Sequence, residues 1–169
     1  CGTSFYAGLV AKHWIERYAG LGVDVDVASE FRYRCPPLPK GGVALFISQS
    51  GETLDTLAAL RYAKSKGQKI VSIVNVAEST IARESDVVLL TYAGPEIGVA
   101  STKAFTTQLT VLACLAVTIG RENGTLNKDE ENAIVTALTE VPKHAAEILH
   151  HDEALKKLAL DIADARDVL

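Results

Sequence analysis

Short apolar runs alternate along this chain with longer stretches in which apolar residues recur every three or four positions. The runs predict β-strands, and the stretches predict amphipathic helices. The predicted strands are 23–27, 43–47, 70–76 and 87–90. The predicted helices are 5–19, 54–66, 79–84, 101–119 and 128–141, with a helical turn at 29–33 and one or two further helices in 144–164. Pro142 is expected to end the helix that begins at residue 128, because proline breaks a helix interior.

Strands that alternate with helices predict an α/β fold. The expected form is a three-layer sandwich, in which a mostly parallel sheet carries helices on both faces. In such sheets, ligands bind at the carboxyl ends of the strands. The loops that follow strands are therefore where binding chemistry is expected.

One such loop is Ser48-Gln49-Ser50-Gly51-Glu52-Thr53, between a predicted strand and a predicted helix. The first N–H groups and the positive dipole end of that helix converge there with three hydroxyls and the donor Gln49, and Gly51 permits close approach. Glu52 would repel a phosphate and is expected outside or paired. The chain has no Walker loop and no Gly-x-Gly-x-x-Gly, so a compact phosphate monoester fits better than a nucleotide. Alternatively, each hydroxyl only caps the helix.

Two further segments are expected at the same edge of the sheet. Cys1-Gly2-Thr3-Ser4 repeats the hydroxyl-rich start of a helix, although simple capping explains it equally well. Val99-Ala100-Ser101-Thr102-Lys103 places a lysine in a first helical turn, where the dipole disfavours a cation. Either Glu96 or an anionic ligand must offset that charge.

Composition limits the remaining classes of function. The net charge of −4 argues against a general nucleic-acid surface. Three cysteines without metal-ligand spacing indicate reduced thiols in the cytoplasm. The uncharged stretch 104–120 contains several threonines and predicts a buried core helix rather than a membrane span. Neither a metal cluster nor a Ser-His-Asp arrangement is legible, so we expect no metal and no cofactor.

Four segments resemble, in chain order, the sugar isomerase (SIS) region of the glutamine–fructose-6-phosphate aminotransferase family. They are Cys1-Gly2-Thr3-Ser4, Ala28-Ser29-Glu30-Phe31-Arg32-Tyr33-Arg34, Ser48-Gln49-Ser50-Gly51-Glu52-Thr53 and Glu96-Ile97-Gly98-Val99-Ala100-Ser101-Thr102-Lys103-Ala104-Phe105. The first and third occur loosely across SIS domains, whereas the last is more specific to the aminotransferase. The resemblance runs the length of the chain, most loosely after about Gly120, and implies one SIS domain over 1–169 with flavodoxin-like architecture.

In that family an N-terminal glutaminase releases ammonia, and two SIS domains convert fructose 6-phosphate and ammonia to glucosamine 6-phosphate. The resemblance implies that this chain is the first SIS domain, a fragment of a longer enzyme. It implies that the sugar phosphate is held by Thr3, Ser48, Gln49, Ser50 and Thr53, and that the same pocket is lined by Cys1, Gly2, Ser4, Val99, Ala100 and Lys103. The proton-transfer Glu, ring-opening His and C-terminal Lys of the family belong to the second SIS domain, so no catalytic residue is expected here.

The expected partners are fructose 6-phosphate or glucosamine 6-phosphate, the second SIS and glutaminase domains, and a second copy in a homodimer; no nucleic acid and no membrane are expected. Apolar helix faces favour self-association. Two alternatives remain open. A non-catalytic sugar-phosphate sensor in a regulator would need a DNA-binding module. A flavodoxin-like signalling or flavin domain would need an acidic cluster or aromatic flanks at the strand ends.

Overall fold

The computed structural model describes residues 2–95 and 101–165. The chain divides into two compact units, Cys1–Asn127 and Lys128–Leu169. The first contains α1 (Thr3–Trp14, continued by a π-helical turn at Ile15–Ala19), α2 (Ala28–Arg34), β1 (Val43–Ser48), α3 (Leu54–Ser65), β2 (Lys69–Val74), α4 (Thr80–Glu84), β3 (Val87–Leu90) and α5 (Lys103–Glu122). The second contains α6 (Lys128–Leu149) and α7 (Asp152–Asp161).

The three described strands form one parallel sheet in the order β1-β2-β3. Helices α3 and α4 cover one face through a cluster around Leu60, Ile70 and Ile81. Helices α1 and α5 cover the other face through a cluster around Ala7, Ile73 and Leu112. The predicted α/β fold with helices on both faces of a parallel sheet is confirmed.

Helices α1 and α5 run parallel to each other. Near their amino ends Ser4 contacts Gln108, and after α1 the carbonyl of Tyr18 lies against Gly120. By length and composition alone α5 could cross a membrane. Its apolar residues instead pack against α1 and the sheet, as the sequence predicted for a core helix.

The prediction of a strand at 23–27 is wrong. The three valines of this segment are half-buried and its two aspartates are exposed, so the alternation reports burial rather than sheet pairing. Side chains of α1 and of the π-helical turn that continues it satisfy the backbone of Val23: Glu16 accepts its N–H at 3.4 Å, and Lys12 donates to its carbonyl. The segment is therefore not a strand, and it pairs with none of the described strands.

The prediction that Pro142 ends a helix is also wrong, because α6 continues through it to Leu149. Proline removes one N–H donor, so a single intrahelical hydrogen bond is lost. The neighbours on both sides are mostly good helix formers, such as alanine, leucine, glutamate and lysine. Their summed preference outweighs one interior proline here.

Candidate functional site

The carboxyl ends of the three strands lie side by side. Ser48, the last residue of β1, is in register with Val74 of β2, which is in register with Leu90 of β3. The loops that follow these strands consequently start at one edge of the sheet. This edge is where open α/β sheets bind their ligands.

The 48–53 loop is folded by its own hydroxyls. Ser48 Oγ accepts the Gly51 N–H at 3.1 Å and lies 3.3 Å from Thr53 Oγ1. Ser50 Oγ accepts the Glu52 N–H at 3.2 Å. Ser48 is buried, Gln49 and Ser50 are half-buried, and Thr53 is exposed. Ser48 thus shapes the loop from inside, while the side chains from Gln49 onward reach its surface.

The loop leads into the amino end of α3 without a side-chain cap. Thr53 occupies the N-cap position in an extended conformation, and within the described part of the chain its side chain makes no capping hydrogen bond. The first N–H groups of a helix have no intrahelical acceptor. They point outward from the helix end together with the positive end of its dipole, which attracts an anion.

Gly51 lets α4 approach the loop closely. Its φ is +66°, and a Cβ built on it would lie 2.0 Å from Ser79 Oγ. Ser79 is the N-cap of α4 and its Oγ accepts the Ala82 N–H. The absence of a side chain at Gly51 thus makes room for Ser79, and the predicted close approach of a phosphate stays a prediction.

Glu52 is turned away from the loop and paired, as the sequence predicted. Its carboxylate accepts the Thr80 N–H at 2.6 Å, at the amino end of α4. This backbone hydrogen bond, with a further one from the Thr80 hydroxyl and the nearby charge of Arg83, lowers the pKa of Glu52 below its usual value of 4.5. The negative charge is thereby held against α4 and not against the open helix end of α3.

We expect acid to weaken this link between the loop and α4. A carboxylate whose pKa is lowered by folding contributes stability above its unfolded pKa, and that contribution is lost as the pH falls through the folded pKa. The free energy of unfolding should therefore fall below about pH 4.5, and less steeply in Glu52→Gln than in the wild type. Urea unfolding across this pH range measures both slopes. Glu78→Gln, an exposed neighbour, should keep the wild-type slope, and equal slopes in all three proteins would contradict the prediction.

Asn75 organises the loop after β3 and was missed in the sequence, where it was counted as part of a strand. Its Oδ1 accepts from the Thr91 hydroxyl at 3.0 Å and from the Ala93 N–H at 2.8 Å. Its Nδ2 donates to the Gly94 carbonyl at 2.8 Å. One side chain at the end of β2 thus fixes the path of the neighbouring loop. An amide directly after a buried apolar run was the available signal.

Thr3 and Ser4 form the first turn of α1, and both are half-buried. Gly8, one turn further on, lies against Ile47, the penultimate residue of β1. The amino end of α1 therefore points toward the carboxyl edge of the sheet. Because α5 runs parallel to α1, its first residues point the same way, and both helix ends face the region of the 48–53 loop.

Lys103 is the first residue of α5 and is exposed. No carboxylate within the described part of the chain forms an ion pair with it, so the choice between Glu96 and an anionic ligand as its partner stays open. Cys1, Glu96, Val99 and Ala100 lie outside the described residues, and their predicted roles stay predictions.

The described groups at this edge are of the kinds that hold an anion. They are hydroxyls, an amide, helix N–H groups and one lysine. Two carboxylates adjoin them: Glu52 is held by Thr80, and Asp55, in the first turn of α3, is paired with Arg32. Among the described residues no group of three or more His, Cys, Asp or Glu could hold a metal ion.

Known proteins are similar to this chain in sequence and in fold. The SIS domain profile matches residues 1–118. Glutamine–fructose-6-phosphate aminotransferases (isomerizing) from Bradyrhizobium diazoefficiens and Zymomonas mobilis are 60% and 57% identical over the whole chain, which spans only 28% of their length. The C-terminal domain of glucosamine-fructose-6-phosphate aminotransferase from Francisella tularensis superposes with a TM-score of 0.93 at 41% identity, covering 97% of this chain and 47% of that one.

More distant structures keep the same architecture. A glucosamine-6-phosphate deaminase from Thermotoga maritima superposes with a TM-score of 0.71 at 25% identity, over 85% of this chain and 43% of that one. The profile match covers more than two thirds of the 169 residues, including every described strand, helices α1 to α4 and most of α5. The chain belongs to the SIS-domain family.

Proposed function

We propose that this chain binds a phosphosugar at the carboxyl edge of its sheet. The phosphate is held by the 48–53 loop and the amino end of α3, and the sugar lies toward Thr3, Ser4 and Lys103. The observation that carries the proposal is the uncapped start of α3 behind a loop whose hydroxyls are already oriented. Such a helix end offers fixed N–H donors to an anion.

The whole protein to which this chain corresponds is, in our proposal, a glutamine–fructose-6-phosphate aminotransferase. The support is the 60% identity to relatives of that name along the entire chain. This chain is then the first of two SIS domains, and a glutaminase and the second SIS domain make up other parts of a cytoplasmic, homodimeric enzyme. A regulator is the weaker alternative, because the similar sequences carry the aminotransferase name.

Binding without turnover is the expected behaviour of this chain alone. A phosphate held by fixed donors supplies binding energy remote from the reacting carbons, which orients the sugar for chemistry there. Moving a proton between C1 and C2 of the sugar needs a positioned acid or base. The described residues at the edge supply donors and no free carboxylate, so we assign catalysis to the second SIS domain.

Calorimetric titration with glucosamine 6-phosphate tests the proposal. The wild type should bind it, and should bind unphosphorylated glucosamine far more weakly. Ser50→Ala should weaken binding about tenfold, since a hydrogen bond to a charged group contributes about 1.5 kcal/mol or more.

Ser65→Ala is the matched control, an exposed serine at the other end of α3 whose hydroxyl bonds to the Tyr62 carbonyl. It should bind like the wild type. Equal affinity for the phosphorylated and unphosphorylated sugars would overturn the phosphate assignment. An unchanged affinity in Ser50→Ala would show that the 48–53 loop does not hold the phosphate.

A further inference from the structure

Gln108 is a buried amide between α1 and α5. Gln108 is 1% exposed, and its Nε2 donates to Ser4 Oγ at 3.1 Å. Its Oε1 has no hydrogen-bond partner in the described part of the chain. A methionine would fill the same space without burying an unpaired oxygen, which is unfavourable. Packing alone therefore does not account for a glutamine at this position.

The contact decides what the Ser4 hydroxyl can do. A serine hydroxyl has one proton to donate and two lone pairs to accept with. The amide nitrogen faces Ser4 and donates to its oxygen, so Ser4 is the acceptor in this contact. Since the Ser4 oxygen is engaged by Gln108, its proton is directed elsewhere.

That proton has no acceptor in the described part of the chain. Hydroxyls in helices usually donate to a carbonyl of the preceding turn, as Thr107, Thr110 and Thr118 do on α5. Ser4 lies in the first turn of α1, where there is no preceding turn. Its free donor therefore lies at the helix end that points toward the carboxyl edge of the sheet.

We propose that Gln108 is a positioning residue for the phosphosugar site, an inference that rests on the proposed function. It holds the Ser4 oxygen from within the core, so that the Ser4 proton is presented to an oxygen of the bound ligand. Gln108 itself does not touch the ligand. The same hydrogen bond joins α1 and α5 at the end where both contribute to the proposed site.

A double-mutant cycle read by calorimetry with glucosamine 6-phosphate tests this. Gln108→Met and Ser4→Ala should each weaken binding about tenfold, the effect of one lost hydrogen bond to a charged ligand. Because Gln108 acts through Ser4, the double variant should also lose about tenfold rather than a hundredfold. Urea unfolding of Gln108→Met should show unchanged or increased stability, a result opposite to that of a purely structural residue.

Ser72→Ala is the matched control, because Ser72 carries the other buried oxygen without a partner among the described residues and lies in the middle of β2. It should leave binding unchanged. If the two losses of affinity multiplied in the double variant, or if Gln108→Met bound like the wild type, the inference would be overturned while the proposed function stayed intact. Absence of wild-type binding would overturn both. Gln108→Leu repeats the cycle should the methionine variant not fold.

Discussion

Gly51→Ala is expected to destabilise the protein by about 3 kcal/mol and to abolish phosphosugar binding. Two costs add. A residue with a Cβ is strained at a φ of +66°, by about 1–2 kcal/mol. The new Cβ would also lie 2.0 Å from Ser79 Oγ and 2.4 Å from Ser79 Cβ, and relief of such overpacking costs about 1–3 kcal/mol. Either the loop or α4 must move, and the loop carries the proposed phosphate donors.

Gly67→Ala separates the two costs. Gly67 follows the carboxyl end of the same helix, α3, with a φ of +78°, and a Cβ there would meet no atom within 4 Å. This variant should lose only the conformational part, about 1–2 kcal/mol, and should bind glucosamine 6-phosphate like the wild type. Urea unfolding and calorimetry of both variants make the comparison. Equal losses of stability would show that the contact with Ser79 is not the cause.

The sequence could indicate those parts of the candidate site that are made by residues close together along the chain. The end of β1, the hydroxyls of the 48–53 loop and the start of α3 follow one another within a dozen residues, so their chemistry is legible without tertiary structure. The expected pairing of Glu52 followed from charge alone. Its partner, Thr80, comes from a later element and could not be named.

The remaining features depend on contacts between distant residues. Asn75 fixes the loop at Thr91 and Ala93, and Gln108 reaches Ser4 across the interface of two helices. The position of Asn75 after an apolar run could have marked it as polar at a strand end, but the partners of Asn75 and Gln108 could not be named, because they depend on strand order and helix direction. The prediction of a strand at 23–27 was wrong for a related reason. The alternating pattern of this segment reports which side chains are buried, and this is the same whether the backbone pairs with a strand or with side chains of α1 and the turn that continues it.

Close packing of α5 against the turn after α1 leads to the second large effect. Gly120 lies in α5, and a Cβ there would be 2.4 Å from the carbonyl oxygen of Tyr18 and 3.3 Å from Leu126 Cβ. A backbone oxygen cannot move aside as a flexible side chain can. Overpacking of about 3 kcal/mol, offset by about 1 kcal/mol of helix propensity gained by alanine, gives a net loss near 2 kcal/mol for Gly120→Ala.

Gly8→Ala should change stability in the opposite direction. Gly8 is also inside a helix, but a Cβ there would lie 3.5 Å from Val25 Cγ1 and 3.8 Å from Ile47 Cδ1, which are ordinary contacts. Alanine should therefore stabilise α1 by about 0.5–1 kcal/mol. The same substitution in two parallel helices then shifts the urea midpoint down in one variant and up in the other. A gain in Gly120→Ala would mean that α5 does not approach Tyr18 this closely, and that the alignment of the two helix ends at the carboxyl edge is looser than this packing requires.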